Sequence, residues 1–386
     1  MDRRRTRGIH RLGQGQQVLA VRARGSTGNL FGEPAMLTYC PARKSTSSFR
    51  GPGMTKYLLQ QVLRVAAAFA VLVAPASHAA NTFRPTQVAG NVTSIAHWEL
   101  QSSAKAQEGG AEISTDGFKT KDWYPVSGRA TVMAGLLENG KYKDVFHDDN
   151  LRAVGVPDGG HHRFVIPWWY RTQFTLAKLA QGRHVLVRSN GIIGGADLWL
   201  NGHKIADHAA VLGAYPVHEF DVTRWVHDGV NTLAMRVHPA DPQRNFSMGW
   251  VDWNPEPPDN NMGPWRGIDI VQTGPVELRF PAVITDLSLP DLARAALTVK
   301  VEVRNLDNAP HDVFVSGTVA DVSLQQKIHL EAGQARTVAF SPKTDPALVL
   351  GHPKVWWPIG MGEHPLYDLK LVASVDGTES DRAATT

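Results

Sequence analysis

Ala196-Asp197-Leu198-Trp199-Leu200-Asn201-Gly202-His203-Lys204-Ile205-Ala206 reads as a complete β-hairpin. Extended, largely apolar chain ends at Asn201-Gly202, a dipeptide that accepts the positive φ of a tight turn, and Lys204-Ile205-Ala206 returns antiparallel. The same texture continues on both sides. Short apolar runs at 164–166, 168–176, 184–188, 217–222 and 232–237 are bounded by Gly, Pro, Asn and Asp. Runs of this length between turn residues predict an all-β chain. One short helix is expected at 132–137, interrupted by Gly135.

A second β region begins near residue 280. In Leu297-Thr298-Val299-Lys300-Val301-Glu302-Val303-Arg304 apolar and polar residues alternate without a miss, so one face is buried and the other wet. Further strands are expected at 313–319, 326–330, 337–340 and 367–375, a spacing that suits a sandwich of about 100 residues. There is no internal repeat.

The 386 residues carry a formal charge of +4, and that charge is unevenly placed. Residues 1–53 hold nine Arg and one Lys against Asp2 and Glu33, so Met54 onward sums to −4. A nucleic-acid partner is therefore not expected. Residues 1–53 lack apolar periodicity and read as a spurious or disordered upstream extension. Residues 54–80 have the layout of a signal peptide: Lys56 and Arg64, an apolar run at 65–74 too short to span a bilayer, then small residues near Ala79. An exported protein, periplasmic or extracellular and without a membrane anchor in its mature form, is the expectation. Cys40, the only cysteine, falls in the upstream extension, which excludes disulfides, thiol catalysis and Cys-based zinc sites from the rest.

The most unusual tract runs from Ser247 to Gly267, with Trp250, Asp252, Trp253, Asn254, Glu256, Asp259, Trp265 and Arg266 among Pro255, Pro257, Pro258 and Pro264. The prolines forbid a helix and stiffen a loop. Indoles offer stacking surfaces to the C–H faces of sugars, and carboxylates and amides bond hydroxyl groups directionally. Trp250-Val251-Asp252-Trp253 thus reads as a sugar-recognition edge. Tryptophans in such loops also cap sandwich cores, and for Trp265 and Arg266 that structural reading is preferred. His161-His162 lacks a third ligand and reads as a solvated turn, so no metal is expected. The glycine-rich 190–195 reads as a hairpin turn rather than a phosphate cradle, no Gly-x-Ser-x-Gly elbow occurs, and no cofactor is expected.

Several motifs resemble the exo-β-D-glucosaminidases, chitosan-degrading members of glycoside hydrolase family 2. They are the Ser247–Gly267 tract, Trp169-Tyr170-Arg171-Thr172, Arg188-Ser189-Asn190-Gly191-Ile192, the 196–202 segment of the hairpin and Glu219-Phe220-Asp221-Val222-Thr223. Trp356-Trp357-Pro358-Ile359-Gly360 with Pro365-Leu366-Tyr367 resembles the closing strands of that family's immunoglobulin-like domain. The resemblance implies a jelly-roll, galactose-binding-like sugar domain over 81–279 and an immunoglobulin-like β-sandwich over 280–378. In the related β-mannosidases a Trp-Asp-Trp-Gly-Pro tract reaches the active site. Here Val251 separates Trp250 from Asp252 and Asn254 replaces the Gly, which favours the glucosaminidase resemblance. It implies that Asp252 touches substrate with Trp253 as wall, Trp250 and Asn254 being further candidates.

By the same resemblance, the two carboxyls of a retaining mechanism, about 5–5.5 Å apart, lie on a (β/α)8 barrel after the immunoglobulin-like domain. The acid/base Glu follows an Asn. No Asn-Glu pair occurs in this sequence, and a barrel needs about 250 residues. The barrel is therefore expected to be absent, 379–386 to be a truncated linker, catalytic residues to be none and the chain to be inactive alone. A separate chain could supply the barrel. The expected ligand is a β-linked amino-sugar or mannoside oligosaccharide; the alternatives are a β-mannosidase-type fragment and a non-catalytic carbohydrate-binding protein.

Overall fold

Asn201 and Gly202 take φ of 49° and 85°, and the chain reverses between Ala196–Leu200 and His203–Ala206, which pair antiparallel. The computed structural model describes residues 84–148, 150–154, 164–241, 244–245 and 257–386. The described residues fall in one unit, His78–Thr386. Its first sandwich is built from β1 (Thr86–Gln87), β2 (Val92–Ser94), β3 (His97–Ser102), β4 (Tyr124–Ser127), β5 (Trp168–Leu176), β6 (His184–Ser189), β7 (Ala196–Leu200), β8 (His203–Ala206), β9 (His218–Asp221), β10 (Gly229–Val237) and β11 (Ile268–Thr273). One sheet has the order β4-β3-β5-β10-β7-β8, with β1 also on β5; the facing sheet is β2-β11-β6-β9. Trp98, Leu100, Tyr170, Phe174, Val187, Leu198 and Ile270 meet in the core between them.

Strand β5 is buried along both faces, which is why Trp168–Leu176 shows no alternation. Its outer face is covered by the excursion between β3 and β4, where Ile113 and Ala106 pack on Trp169, Trp199 and Ala234. Arg171 ties that excursion down: Nε donates to the Ile113 carbonyl at 3.1 Å, Nη2 to that of Thr115 at 3.1 Å, and Nη1 pairs with Glu99 at 3.1 Å.

Two local expectations change in this sandwich. Residues 164–166 form a turn rather than a strand; Pro167 has no N–H to extend a ladder, and Phe164 instead stacks on Trp168 at 6.5 Å. The glycine-rich 190–195 is a crossing between sheets rather than a hairpin turn, because β6 and β7 belong to opposite sheets. Ile192 and Ile193 are fully buried in the crossing. Gly191 and Gly194 take φ of 141° and 87°, and a Cβ on them would lie 2.0 and 2.1 Å from the Ala214 and His238 carbonyl oxygens. Only glycine tolerates that approach.

The helix expected at 132–137 is present as Val132–Glu138, capped by the Thr131 side chain, which accepts from the Ala134 N–H at 3.2 Å. Gly135 does not interrupt it. A Cβ there would stand 2.7 Å from Val126 Cγ1 and 3.0 Å from Leu100 Cδ2. Helix propensity favours Gly135→Ala by about 1 kcal/mol, but overpacking against a stiff β-branched neighbour costs about 1–3 kcal/mol. The steric term wins. Gly135→Ala is expected to lower stability by about 1 kcal/mol, read from the urea midpoint; a raised midpoint would refute the packing account.

The second sandwich comprises β12 (Val276–Leu287), β13 (Arg294–Asn305), β14 (His311–Val319), β15 (Val322–Leu330), β16 (Ala335–Phe340), β17 (Val349–Gly351), β18 (Leu369–Val375) and β19 (Thr378–Thr385). Sheet β12-β13-β16, with β17 also on β13, faces sheet β15-β14-β18-β19. The alternation of β13 puts Leu297, Val299, Val301 and Val303 in the core. Strand β12 starts at Val276, a few residues before the expected boundary at 280, because Val276-Glu277-Leu278 already pairs with β13.

The stretch 379–386, expected as a linker, instead holds β19, paired along β18. Ser380 Oγ accepts from the Val276 N–H at 2.8 Å, and Asp381 accepts from the Leu278 N–H and from Asn91, both at 2.8 Å. This strand therefore seals the joint between the sandwiches. The Trp356-Trp357-Pro358 tract is not a closing strand; it lies in an exposed connection between β17 and β18, where Pro353, Pro358 and Pro365 prevent ladder formation.

Candidate functional site

The long loop that carries the sugar-recognition expectation leaves the first sandwich at Val237, the end of β10, and returns at Ile268, the start of β11. Trp250, Asp252, Trp253 and Asn254 lie outside the described residues, as do Val251, Glu256 and His161-His162. The two feet of the loop are described, and each is pinned differently.

The outgoing foot is polar. The His238 N–H donates to the Gly195 carbonyl at 3.1 Å, and His238 Nε2 lies 2.8 Å from Asp197 Oδ2. Buried Asp197 also receives Arg236 at 3.0 Å, Lys204 at 3.2 Å and the His208 N–H at 3.1 Å. These partners outweigh the cost of burial and hold its carboxyl well below the usual range. Burial keeps His238 below its ordinary value despite Asp197. His208 fills the space beside it, rings 4.4 Å apart, with Nε2 2.8 Å from the Gly194 carbonyl.

The returning foot is packed and backbone-bonded. Asp259 is buried, and its carboxylate accepts from the Asn261 N–H at 2.9 Å and from the Met133 N–H at 2.8 Å. Burial pushes its pKa up against those bonds. Gly263 and Ile193 exchange two backbone hydrogen bonds of 3.0 Å, and a Cβ on Gly263 would meet Tyr170 Oη at 2.7 Å. Trp265 donates from Nε1 to the Ala214 carbonyl at 2.7 Å, with Tyr215 edge-on at 5.5 Å and Arg266 5.8 Å from its ring. Asp259 and Trp265 thus pin the returning foot to the first sandwich.

Sequence reasoning missed a second charged cluster, at the joint between the sandwiches. Glu219 pairs with Arg188 at 2.5 Å and Arg279 at 2.7 Å; Glu277 pairs with Arg188 at 3.1 Å and Arg304 at 3.0 Å. The Arg279 contact is an ion pair without hydrogen-bond alignment. Both carboxylate side chains are at most 1% exposed. Burial first, then the Glu219 charge, pushes Glu277 up to about 7, against the pull of Arg304 and Arg188. Two close carboxyls with one raised pKa mimic a glycosidase pair, but here both carboxylates are tied to guanidinium groups.

Beside this cluster His184 bridges the two sandwiches, with Nδ1 2.7 Å from Asp221 and Nε2 2.8 Å from Asp307, which also takes His311 at 2.8 Å. The hydrogen bond to Asp221 leads in raising His184. Against burial, His184 and Thr223 hold Asp221 down at about 2. The only sequence signal for these groups was the presence of single charged residues inside short apolar strands.

The family described as Glycosyl hydrolase 2 galactose-binding domain-like matches residues 98–245, and Glycosyl hydrolases family 2 matches 278–386. The chain is 44% identical over 301 residues to an exo-β-D-glucosaminidase of Streptomyces avermitilis, which covers 77% of this chain and 32% of that protein. It is 36% identical over 309 residues to an exo-β-D-glucosaminidase of Hypocrea virens, covering 78% of this chain and 33% of that one. The crystal structure of the Amycolatopsis orientalis exo-chitosanase matches with a TM-score of 0.69 at 42% identity, over 77% of this chain and 33% of that chain. A β-D-mannosidase from Dictyoglomus thermophilum shares the fold, with a TM-score of 0.53 at 20% identity, over 76% of this chain and 36% of its own. The chain spans about a third of the length of the relatives it matches. One family match falls on each sandwich, and both come from the same set of enzymes; the chain belongs to glycoside hydrolase family 2.

Proposed function

We propose that this chain is the sugar-binding and immunoglobulin-like front portion of an exported, retaining exo-β-D-glucosaminidase acting on chitosan oligosaccharides. In this reading the loop between β10 and β11 walls the subsite for the terminal sugar. Asp252 pairs with the glucosamine ammonium, an interaction that strengthens away from bulk water. Trp253, aided by Trp250, stacks on the C–H face of the ring, and Asn254 bonds a hydroxyl. What supports the proposal is the anchoring of the described flanks of the loop on the first sandwich, which shortens the span left to order on gripping a ligand. The paired carboxyls of the retaining step belong to polypeptide outside the two sandwiches, and export rests on the signal-like 54–80.

Calorimetric titration of the whole chain with chitosan oligomers tests the site. Asp252→Ala and Trp253→Ala are each expected to weaken binding about tenfold, or about 1.4 kcal/mol. Equal affinity in wild type and both variants would remove the subsite, and preference for β-mannan oligomers would move the reading to a mannosidase. Hydrolysis of a chromogenic β-glucosaminide by the purified chain is expected to be undetectable; measurable turnover would contradict the placement of the carboxyls.

A further inference from the structure

The second sandwich turns one face of its β15-β14-β18-β19 sheet to the core and the other to solvent. In β14 the alternation buries Val313 and Val315 and points Asp312, Phe314 and Ser316 outward. The register fixes what surrounds the phenyl ring. Phe314 lies opposite Lys327 on one side and Ser374 on the other, Asp312 opposite His329, and Ser316 opposite Gln325. Neighbouring strands stand about 4.8 Å apart, and outward residues follow each other at about 7 Å along a strand. One aromatic ring, 37% exposed, thus sits in a lattice of hydroxyl, amide and charged groups.

A single exposed apolar residue is ordinary; what distinguishes this one is the concavity beside it. A hollow of about 640 Å³ opens there, lined by Asp312, Phe314, Lys327, His329, Ser374 and Asp376. Parts of its polar wall are held in place. His329 Nδ1 lies 2.7 Å from Asp312 Oδ1, and Asp376 with Gly377 makes the tight turn between β18 and β19 at φ of 51° and 77°. The chemistry is that of a saccharide contact. A phenyl face takes the C–H groups of a pyranose, Lys327 and Ser374 donate to hydroxyls, and carboxylates accept from hydroxyls or from an ammonium. A protein partner is less well served, because the core of such an interface needs several apolar anchors and this face offers one.

We propose that the outer face of the second sandwich around Phe314 is a saccharide-binding site. It takes a short stretch of a β-linked amino-sugar chain, with Phe314 as the stacking platform and Asp312 and Asp376 as partners of the ring ammonium groups. It uses no residue of the loop between β10 and β11. The choice of an amino sugar over a neutral one rests on the reading of the chain as part of a glucosaminidase; the face itself does not.

Calorimetric titration with chitosan oligomers tests the face in a chain carrying Asp252→Ala and Trp253→Ala, so that the loop contributes nothing. Binding is expected to persist there, and Phe314→Ala is expected to weaken it at least about tenfold. Phe314→Tyr, which keeps the ring, should hold affinity within about twofold of the parent. Amide NMR signals of 312–316, 325–329 and 374–377 should shift during the titration. Chitosan oligomers should bind about threefold tighter than cellulose oligomers, a modest margin because Lys327 opposes the carboxylates, and Asp312→Asn with Asp376→Asn should erase it. Binding that Phe314→Ala leaves intact, shifts confined to other residues, or equal affinity for the two oligomers overturns the proposal. The two readings fail separately. Loss of all binding in the Asp252→Ala, Trp253→Ala chain sinks this face and leaves the loop; binding untouched by those two substitutions and lost in Phe314→Ala does the reverse.

Discussion

Glu219→Ala is expected to lower stability by about 3–5 kcal/mol, the usual cost of breaking a buried ion pair from one side. The carboxylate is 1% exposed and faces Arg188, Arg279 and Arg304. Its removal leaves Arg188, Arg279 and Arg304 without their shared carboxylate, with Glu277 and Glu302 as the remaining acids. For a unit of this size the loss corresponds to a fall of roughly 6–15 °C in Tm. Glu277→Gln should be milder. Its carboxyl already sits at about 7, so near neutrality the amide resembles the protonated form that burial favours. The contrast is the discriminating part: calorimetric melts at pH 6.5 should rank Glu219→Ala, then Glu219→Gln, then Glu277→Gln, in decreasing damage. Equal effects of the two Gln variants would mean that the carboxylates are equivalent.

The joint should also loosen as pH rises from about 5 to 8. The folded-state value of Glu277 is raised from 4.5 to about 7. Its contribution is therefore complete below its unfolded value and is lost as pH climbs through the folded one. His184 is raised above 6.5 and acts with the same sign, its imidazolium donating to Asp221 and Asp307 until it deprotonates. Asp259 and Asp381, raised by burial, add in the same direction. Asp221 has the opposite sign: held at about 2 against an ordinary 3.8, it contributes above 3.8 and loses that only as pH falls through 2. His238, lowered by burial, also has the opposite sign, its stability being gained as pH rises to its unfolded value of 6.5. Between pH 5 and 8 a net fall in Tm is expected, led by Glu277. Glu277→Gln combined with His184→Gln should flatten most of that slope. A Tm that rises across the same interval, or a slope unchanged in the double variant, would show that the joint does not titrate.

The proposed recognition loop was visible in the sequence as a composition, because Trp, Pro and carboxylates crowd into few positions between two β regions. What its members do was less visible. Asp259 and Trp265 belong to the same tract as Asp252 and Trp253, yet the fold uses them to bond Met133, Asn261 and Ala214. That division depends on partners far away in the chain. Gly135 shows the same limit, since propensity reads it as a break and only its approach to Val126 explains it.

By itself the sequence determined the strands of β7, β8 and β13, because a turn dipeptide and a two-residue alternation are properties of neighbouring positions. It also determined the family, through motifs long enough to be distinctive. The tertiary structure decided which strands share a sheet, so 190–195 became a crossing and 378–385 a sealing strand. It alone brought Glu219 and Glu277 together with three arginines, and His184 between Asp221 and Asp307. Charge pairing across the joint acts through space between residues tens of positions apart, and the cost of leaving such groups unpaired is set by a burial that exists only once both sandwiches have formed.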